Sequence, residues 1–399
     1  MTAVYLYDDA TARTFEPFAL TRPCAELRAG AVVIRERWSR VLGVPAHGFV
    51  GAAHLADFEE AGAPAAATGE LPAGAIVANS RCVPSLLTVG GEATTWTCDG
   101  RLAAVRLARP VAVADLADGT LRLDELPRIG GAEATMDGRW LDEVWHLIRD
   151  LTPQLVEDIP ALARELAAAP APGHAIVIGE HPVHIEAGAT VEPHTVFDTH
   201  AGPVLVRRGT TIHAFTRIVG PCYVGEHSTV TADKIANASI GDVCRVHGEL
   251  SSTIFVGHAN KAHDGFVGHS ILGRWVNLGA GTTTSNLKNT YGTVHLWTPS
   301  GIRDTGLQFL GTCFGDHVKT GIGLRLSTGT VLGAGANVWD AMPPKAVAPF
   351  AWGGRAPYDT YEVDKFLVVA ERAMARRSVP LGERARQQLR RAHAERWSA

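Results

Sequence analysis

The chain has 399 residues, a net charge of −4 at pH 7, and a composition that is 46% apolar and 20% charged. At roughly 100–200 residues per domain this length predicts two to four domains and excludes a mini-protein. The 42 glycines and 22 prolines follow no G-X-Y period, which excludes collagen, and the apolar content excludes a disordered chain. The near-neutral charge gives no global electrostatic basis for binding nucleic acid or a membrane.

The cysteines and the N-terminal segment bear on the compartment. None of the six cysteines forms a C-x-x-C pair, which argues against a zinc site or a disulfide framework and fits a reducing compartment. The first residues read as a short strand followed by acids, and no run of about 18 uncharged apolar residues occurs. We therefore expect a soluble cytoplasmic protein.

The first 136 residues have the pattern of an α/β domain. Short strands are predicted at 4–7, 48–53, 74–78 and 102–107, and a helix is predicted from Glu26 to Leu42 between the first two strands. Strands that alternate with helices favour a layered α/β fold.

A helical pattern follows from about Asp137, with an apolar face, and it ends in the Pro-rich segment 170–173. We interpret residues 137–173 as a helical connector, so a domain boundary is expected near Gly173.

After this boundary the apolar residues recur every six positions, which is neither a helix period nor a strand alternation. The period is typical of a β-helix, in which each hexapeptide forms one flat side and its apolar residue points to the axis. We expect glycines such as Gly315, Gly321, Gly333 and Gly335 to occupy the corners with positive φ. The alternative is chance spacing in a valine-rich β domain. The residues on the period are Ile185, Val191, Ile212, Ile218, Val224, Val230, Ile240, Val246, Leu272, Leu278, Phe314, Thr320, Leu326, Leu332 and Val338.

Two further segments depart from this period. The repeat is interrupted between about Glu249 and Leu310, and insertions in a solenoid form loops where binding groups collect. Residues 360–397 return to a helical pattern. Residues 371–399 hold eight arginines against three glutamates, and we favour a solvated helix over a phosphate-binding tail for this segment.

The segment 261–282 carries a resemblance to a known family. Its K-A-H-D-G-F-V-G-H-S-I-L-G run, followed by V-N-L-G-A-G-T, resembles the acetyltransferase half of the bifunctional glucosamine-1-phosphate acetyltransferase and N-acetylglucosamine-1-phosphate uridylyltransferase (GlmU) family. The resemblance covers roughly residues 175–350. It implies a left-handed parallel β-helix over 174–350, a homotrimer, and acetyl-CoA as cosubstrate.

The same resemblance assigns roles to individual residues. His263 matches the catalytic base, and an imidazole is suited to removing a proton from an amine near neutral pH. Glu249 matches a glutamate that could orient the amine. The other matches are the sugar-contacting Asn277 and Asn286, the acetyl-CoA contact Ala280 with its neighbours Gly279 and Gly281, and the sugar-phosphate contact Lys288.

The sequence also departs from the family, which makes the substrate less certain than the fold. A phosphate-binding lysine of the family is replaced by Ser251, and a sugar-contacting tyrosine by Phe266. Lys234 and Arg217 are cations that could replace the lost phosphate contact. Exposed ion pairs are the commoner use of such residues.

The N-terminal half lacks the glycine-rich phosphate loop of the common sugar nucleotidyl transferases. Its L-T-R-P-C-A-E-L-R-A-G segment, residues 20–30, is similar to a variant group of GlmU-like sugar nucleotidyl transferases, as are segments 286–292, 315–323 and 343–347. Two arginines near a helix start, Arg22 and Arg28, could clamp a phosphate. The alternative is that they bridge carboxylates.

Four further residues follow the predicted strands of this half. Asn79 and Arg81 come where such folds contact nucleotide or metal, and Asp8 and Asp9 are candidate Mg²⁺ ligands. Aspartates that cap a turn are the alternative for the last pair.

The sequence thus predicts a bifunctional enzyme with an α/β nucleotidyltransferase-like (Rossmann-like) domain at 1–136, the connector, the β-helix domain, and a helical tail at 351–399. It would join UTP or dTTP to a sugar 1-phosphate with Mg²⁺, and acetylate an amino-sugar 1-phosphate from acetyl-CoA. One alternative is a nucleotidyl transferase whose β-helix is only structural or trimerising. Another is a scaffold that binds a sugar nucleotide without catalysis.

Overall fold

A computed structural model describes residues 2–86, 93–231 and 233–398 of the chain. The chain folds into two compact units. Unit 1 comprises Met1–His146 and Leu381–Glu395, and unit 2 comprises Leu147–Pro380 and Arg396–Ala399. The predicted domain limits at 136, 173 and 350 stay predictions. Among the described residues, no helix has the length and apolar character needed to span a membrane.

Unit 1 is built on a six-stranded mixed sheet whose three neighbouring strands Ala46–Val50, Val4–Tyr7 and Ile76–Asn79 are parallel. Arg101–Arg106 pairs antiparallel with Ile76–Asn79. All four predicted strands are confirmed, with limits shifted by up to three residues. The sheet order is Glu133–Met136, Thr95–Cys98, Arg101–Arg106, Ile76–Asn79, Val4–Tyr7 and Ala46–Val50.

The predicted helix from Glu26 is wrong over its first eight residues. The helix spans Ile34–Leu42 and ends at Gly43, which has a φ of 69°. A hairpin of Arg28–Ala29 and Val32–Val33 precedes it, because Gly30 takes a φ of 61° that breaks the helical path. The helix docks through Trp38, which is fully buried and donates its indole N–H to the Cys82 carbonyl at 3.1 Å.

Short elements complete unit 1. The helical pattern predicted from Asp137 begins instead with a strand, Gly138–Trp140, that pairs antiparallel with Cys82–Pro84. A second short pair joins Glu70–Leu71 to Val111–Ala112. The 3-10 helices are Ala12–Thr14, Cys24–Glu26, Ala53–Leu55, Val113–Leu116 and Leu123–Glu125.

The last helix of the chain, Glu383–Ala394, belongs to unit 1. It buries Leu389 and Ala392, and the Arg391 guanidinium binds the Asp57 carboxylate at 2.8 Å. Unit 1 is therefore assembled from both ends of the sequence.

Unit 2 is a parallel β-solenoid of about ten turns, which confirms the predicted β-helix. Helices His146–Arg149 and Leu151–Glu165 precede it in the chain. Three sheets form its sides. The first contains Ala169–Pro170, Val183–Ile185, Val204–Val206, Cys222–Val224, Ser239–Ile240, Ile254–Phe255, Ile271–Leu272, Thr312–Phe314, Thr330–Leu332 and Ala346–Val347. The second contains Ile176–Ile178, Val196–Asp198, Thr216–Val219, Asp233–Ala236, Glu249–Ser251 and Phe266–Gly268. The third side holds Thr190–Val191, Thr211–Ile212, Thr229–Thr231, Arg245–His247 and Asn260–Lys261, then Lys319–Thr320, Asn337–Val338, Ala351–Gly353 and Asp359–Thr360. A further pair joins Thr283–Thr284 to Arg325–Leu326.

The six-residue period marks the interior of the solenoid. Every apolar residue predicted on that period is buried in one continuous core. The single polar residue of the set, Thr320, is also buried. Its hydroxyl accepts the Gly279 N–H at 3.0 Å and lies 3.1 Å from the Thr282 hydroxyl, so the group is hydrogen bonded inside the core.

The expectation that glycines take the corners with positive φ is wrong for three of the four glycines named for it, whereas other glycines of the solenoid, such as Gly209 and Gly281, do have a positive φ. Of the four predicted positions only Gly335 has a positive φ, of 71°. Gly321 and Gly333 are needed for a different reason, because a Cβ there would lie 2.6 Å from the Trp339 Cβ and 2.3 Å from the Pro349 nitrogen. Histidine supplies several positive-φ positions, consistent with its tolerance of the left-handed region. These are His194, His227, His258, His269 and His317.

Alanine substitutions at Gly335 and Gly323 separate the two reasons for glycine, which are a positive φ and a close approach of neighbouring atoms. A Cβ at Gly335 would lie 2.6 Å from the Phe350 ring, whereas at Gly323, with a φ of 70°, it would meet nothing within 4 Å. We expect Gly323→Ala to cost about 1 kcal/mol for backbone strain, and Gly335→Ala about 1–3 kcal/mol more for overpacking. Urea unfolding of both variants tests this, and equal losses would contradict it.

The predicted interruption of the repeat is shorter than expected. Ile254–Phe255, Asn260–Lys261, Ile271–Leu272 and Thr283–Thr284 remain in the coil, and only about residues 287–309 leave it. This insertion contains a hairpin of His295–Thr298 and Gly301–Asp304.

The helical pattern at 360–397 is confirmed as two helices. Val363–Ala375 lies in unit 2 and buries Phe366, Leu367, Ala370 and Met374. Phe366 packs edge-on against Phe350 with ring centroids 4.9 Å apart, which fixes this helix to the final coils.

Candidate active sites

A cleft of about 650 Å³ in unit 1 opens where the parallel strands Val4–Tyr7 and Ile76–Asn79 end. Its lining includes Asp9, Asn79 and Arg81, three of the residues predicted for this half. They meet because the carboxyl ends of neighbouring parallel strands lie at one edge of the sheet.

Arg81 and Asp9 form the centre of this cleft. The Arg81 Nε lies 2.8 Å from Asp9 Oδ1, and Nη2 lies 2.7 Å from Oδ2. The Asn79 amide donates to Oδ2 at 2.8 Å, and the Ala12 N–H donates to Oδ1 at 2.9 Å. Burial acts to raise the pKa of Asp9, but the donors from Arg81 and Asn79 outweigh it and leave the pKa below its usual value.

Two residues that the sequence reasoning did not assign to a site extend this network. Asp142 Oδ1 accepts from both Arg81 and Arg101, each at 2.9 Å, and the Arg101 guanidinium lies 4.0 Å from the centre of the Trp140 ring. A second guanidinium stacked on an indole beside the first gives a cleft suited to binding phosphate oxygens. The sequence signal for these residues is weak, since the pattern from Asp137 predicts a helix with Trp140 on its apolar face.

Asp8 is 3% exposed and is not among the residues that line the cleft. Its Oδ2 accepts the Cys24 N–H at 3.0 Å, whereas its Oδ1 has no hydrogen-bond partner among the described residues. Burial raises the pKa of Asp8 to about 6, against the lowering effect of the nearby Ser80 hydroxyl and the Cys24 N–H.

The Asp8 and Asp9 pair does not fit a Mg²⁺ site in this conformation. Both Asp9 oxygens already accept hydrogen bonds, and Asp8 is buried. Within residues 2–86, 93–231 and 233–398, no group of three His, Cys, Asp or Glu side chains is placed to hold a metal ion. We derive no catalytic step through a metal at this pair.

Asp8→Asn is expected to stabilise unit 1 at neutral pH. Because the pKa of Asp8 is about 6 in the folded protein and near 3.8 ordinarily, the folded state binds more protons between these values. The free energy of unfolding therefore falls as pH rises from about 4 to about 6, and asparagine removes that loss. We expect no gain near pH 4 and a gain on the order of 2–3 kcal/mol above pH 6.

Urea unfolding at both pH values measures this effect, and Asp118→Asn is the control. Asp118 is exposed, and hydrogen bonds from the Thr120 N–H and hydroxyl lower the pKa of Asp118. The control should therefore lose stability at neutral pH. A gain for Asp8→Asn that does not vary with pH would contradict the prediction.

The structure gives no support to a phosphate clamp at Arg22 and Arg28. Both side chains are buried and neither lines the cleft. Arg22 binds the Glu60 carboxylate at 3.1 Å, and Arg28 donates to the Ala31 carbonyl. Glu26 likewise pairs with Arg35 at 2.7 Å. The L-T-R-P segment therefore has internal partners: Arg22 binds a carboxylate, as the alternative expected, and Arg28 binds a backbone carbonyl.

In unit 2, a separate open cleft of about 840 Å³ brings together His263, Ala280 and Gly281. These are the predicted base and two of the predicted acetyl-CoA contacts. The His263 side chain is exposed to solvent. Gly279 lies behind them, where a Cβ would be 2.2 Å from the Gly321 carbonyl oxygen, so glycine allows two coils to approach.

Lys261 holds the His263 segment in place. It is 2% exposed, and its ammonium donates to the His247 carbonyl at 2.7 Å and to the His263 carbonyl. Burial lowers the pKa of Lys261 to about 8. His247 also lines the cleft and its Nε2 lies 2.8 Å from Asp264 Oδ1. Sequence reasoning did not select His247, because one histidine among 17 carries no signal.

The other residues predicted for acetyl transfer lie outside the lining of this cleft. Glu249 pairs with Lys234 at 3.4 Å. The Asn286 amide donates to His269 Nδ1 at 2.8 Å, and burial lowers the pKa of His269 to about 4, so that ring is a neutral acceptor. Lys288 donates to His295 Nδ1 at 3.0 Å.

Asn277 lies in another cleft of unit 2, and its Oδ1 accepts the Asn260 amide at 2.7 Å.

Residues 4–166 match the family model described as sugar nucleotidyl transferase. The N-terminal part of the chain therefore contains a sugar nucleotidyl transferase domain, and the match extends past unit 1 through the helix Leu151–Glu165 of unit 2. This match and the relatives below support a GlmU-like family of transferases. They agree with the resemblance of the L-T-R-P segment, although the common glycine-rich loop is missing.

Three curated relatives are similar over parts of the chain. The bifunctional protein GlmU of Acaryochloris marina is 29% identical over 134 residues, 33% of this chain and 26% of the relative. The bifunctional protein GlmU of Carboxydothermus hydrogenoformans is 25% identical over 195 residues, which are 43% of this chain and 40% of the relative. The bifunctional sugar-1-phosphate nucleotidylyltransferase/acetyltransferase of Sulfurisphaera tokodaii is 30% identical over 91 residues, 23% of each. The chain thus spans less than half the length of the curated relatives it matches.

Proposed function

We propose that this GlmU-like transferase is bifunctional, with a sugar-1-phosphate nucleotidylyltransferase in unit 1 and an amino-sugar-1-phosphate N-acetyltransferase in unit 2. The observation that carries the second activity is the cleft that joins His263 to Ala280 and Gly281. The first activity rests on the family match and on the arginine-rich cleft at Asp9 and Arg81.

In the proposed acetyl transfer, the exposed His263 imidazole accepts a proton from the attacking amine of the sugar. The amine nitrogen bonds to the acetyl carbon of acetyl-CoA, the carbon–sulfur bond breaks, and CoA leaves as the thiol after taking up a proton. Lys261 positions His263 through its backbone carbonyl. The small residues Ala280 and Gly281 leave room for the thioester.

In the proposed nucleotidyl transfer, a phosphate oxygen of the sugar 1-phosphate attacks the α-phosphorus of UTP or dTTP, and pyrophosphate leaves. Arg101, whose side chain is 41% exposed, would bind the phosphate oxygens. Arg81 is held by Asp9, Asp142 and the Leu141 carbonyl, and its charge beside them would help to offset the negative charge that gathers in the transition state. Asp9 and Asp142 hold the two guanidinium groups in place. Mg²⁺ would screen the triphosphate when bound, and no ligand set for it is assigned.

The proposal includes a homotrimer in the cytoplasm. The predicted sugar contacts Asn277, Asn286 and Lys288 lie outside the lining of the His263 cleft within one chain. A neighbouring solenoid could bring such residues to that cleft. Analytical ultracentrifugation measures the assembly, and a monomer that acetylates at full rate would exclude this part of the proposal.

One substrate panel tests both activities. UTP and dTTP are each offered with several sugar 1-phosphates, and pyrophosphate release is measured. Acetyl-CoA consumption is measured separately with glucosamine 1-phosphate. Folded protein that is silent in both assays would favour the sugar-nucleotide-binding scaffold.

A nucleotidyl transferase alone is the second candidate function. Ser251 and Phe266 replace two substrate-contacting residues of the acetyltransferase family, and this favours it. Pyrophosphate release without acetyl-CoA consumption would select this candidate, with the solenoid serving assembly.

A further inference from the structure

A third cleft, of about 290 Å³, lies in unit 2 between the solenoid and the end of the helix Val363–Ala375. It shares no lining residue with the His263 cleft. Arg372, Arg376 and Arg377 line it from the helical side, and Lys319 lines it from the solenoid. No aspartate or glutamate is among its lining residues.

The three arginines place unbalanced positive charge at this cleft. Within the described part of the chain, none of their side chains forms a hydrogen bond or an ion pair with another residue. The Nε of Arg377 is also shielded from solvent without a hydrogen-bond partner. Burial lowers the pKa of Arg377, and the neighbouring charges of Arg245 and Arg376 lower it further. Such repulsion is costly unless an anion binds.

The solenoid side adds an amine and an amide as hydrogen-bond donors. The Lys319 ammonium donates to the carbonyls of Trp275 and His317 at 2.6 and 3.2 Å, and burial lowers the pKa of Lys319 to about 7. The Asn277 amide oxygen is taken up by Asn260, which leaves the Asn277 amide nitrogen as a further donor at the same cleft. Donors of both kinds suit phosphate oxygens.

We propose that this cleft binds a diphosphate group, free or carried on a nucleotide, through Arg372, Arg376, Arg377 and Lys319. Several converging cations favour an anion with more than one charge over a monoanion. The cleft is near the small end of ligand pockets, which fits the diphosphate group itself, with any nucleoside outside it. Within one chain, this cleft shares no lining residue with the clefts at Asp9 and at His263. It reverses our sequence-based preference for a solvated helix at Arg372, Arg376 and Arg377.

The test compares two double variants that remove the same charge. Arg372→Ala/Arg376→Ala alters exposed arginines at the cleft and leaves the partly buried Arg377 in place. Arg384→Ala/Arg390→Ala removes two exposed arginines from the other C-terminal helix. Neither variant should unfold below the wild-type temperature, because none of these four side chains lies in a core. The Arg372→Ala/Arg376→Ala variant should unfold at a higher temperature without ligand, because it relieves the repulsion around Arg377.

Isothermal titration calorimetry with pyrophosphate and with UDP measures the stoichiometry and affinity. Wild type and the Arg384/Arg390 variant should bind one more equivalent of pyrophosphate or UDP than the Arg372/Arg376 variant. If all three proteins bind the same number of equivalents, the Arg372/Arg376 variant should bind one of them at least about tenfold more weakly. Backbone amide hydrogen exchange of residues 363–377 should slow on addition of pyrophosphate in wild type and in the Arg384/Arg390 variant, but not in the Arg372/Arg376 variant.

Three outcomes would overturn the proposal. They are equal binding by the two double variants, no change in exchange at 363–377, and binding of glucosamine 1-phosphate but of neither diphosphate. Because these measurements need no turnover, the result is independent of whether unit 1 or unit 2 catalyses the reactions proposed for them.

Discussion

His263→Ala should lower acetyl-CoA consumption by about 10²–10⁴-fold, while pyrophosphate release stays at the wild-type rate. The size of the effect follows from the loss of a general base beside the attacking amine. The imidazole is exposed and forms no side-chain hydrogen bond with another residue in the described part of the chain, so its removal should leave the fold intact. The Lys261 contact goes to the His263 backbone carbonyl, which alanine retains.

His213→Ala provides the matched control for this experiment. His213 is also a solvent-accessible histidine of the solenoid, where its Nδ1 lies 3.2 Å from the Glu192 carboxylate. We expect His213→Ala to acetylate at the wild-type rate. Wild-type acetylation by both variants would show that His263 is not the base. The same loss of acetylation in both variants would point to a general effect on the solenoid.

Arg81→Ala should abolish pyrophosphate release and destabilise unit 1 by about 3 kcal/mol. The Arg81 side chain is 8% exposed and is the only guanidinium bound to Asp9 in the described structure. Its removal leaves the Asp9 carboxylate, 18% exposed, without its counterion. The same change removes one of the two cations assigned to the proposed nucleotidyl transfer.

Arg81→Lys separates the two effects. Lysine keeps the charge but cannot form the paired hydrogen bonds that Nε and Nη2 give to Asp9. We expect most of the stability to return while pyrophosphate release remains low. Arg109→Ala is the surface control, since that side chain is exposed and does not line the cleft, and it should change stability by less than about 0.5 kcal/mol. Wild-type release by Arg81→Ala would exclude a role for this residue in catalysis.

The solenoid could be predicted from the sequence because its repeat is enforced at every turn. Each residue on the six-residue period enters one shared core, so the apolar pattern is strict and a single polar exception, Thr320, stands out. The corners follow no comparable rule. A positive φ is available to histidine as well as glycine, and Gly321 and Gly333 are required by close approach of neighbouring coils rather than by their own backbone angles.

The candidate sites could be predicted only in part, because motifs do not specify where side chains point. Asp9, Asn79 and Arg81 could be found since they follow adjacent strands, whereas Arg22 and Arg28 lie in a matching motif and are engaged inside the fold. Site residues that come from distant segments of the chain form no motif that can be recognised in the sequence. Arg101 and Asp142 are 41 residues apart and meet through their contact with each other and with Arg81.

The closing helix Glu383–Ala394 has a consequence for synthesis. Unit 1 includes this helix, so its packing cannot be finished when residue 146 leaves the ribosome. The surface that receives Leu389, Ala392 and the Arg391 guanidinium stays uncovered while the whole solenoid is translated. Domains commonly fold as units in N-to-C order during translation. Of the two units, the one that emerges first is completed last, and nascent chains that stall within the solenoid would carry unit 1 unfinished.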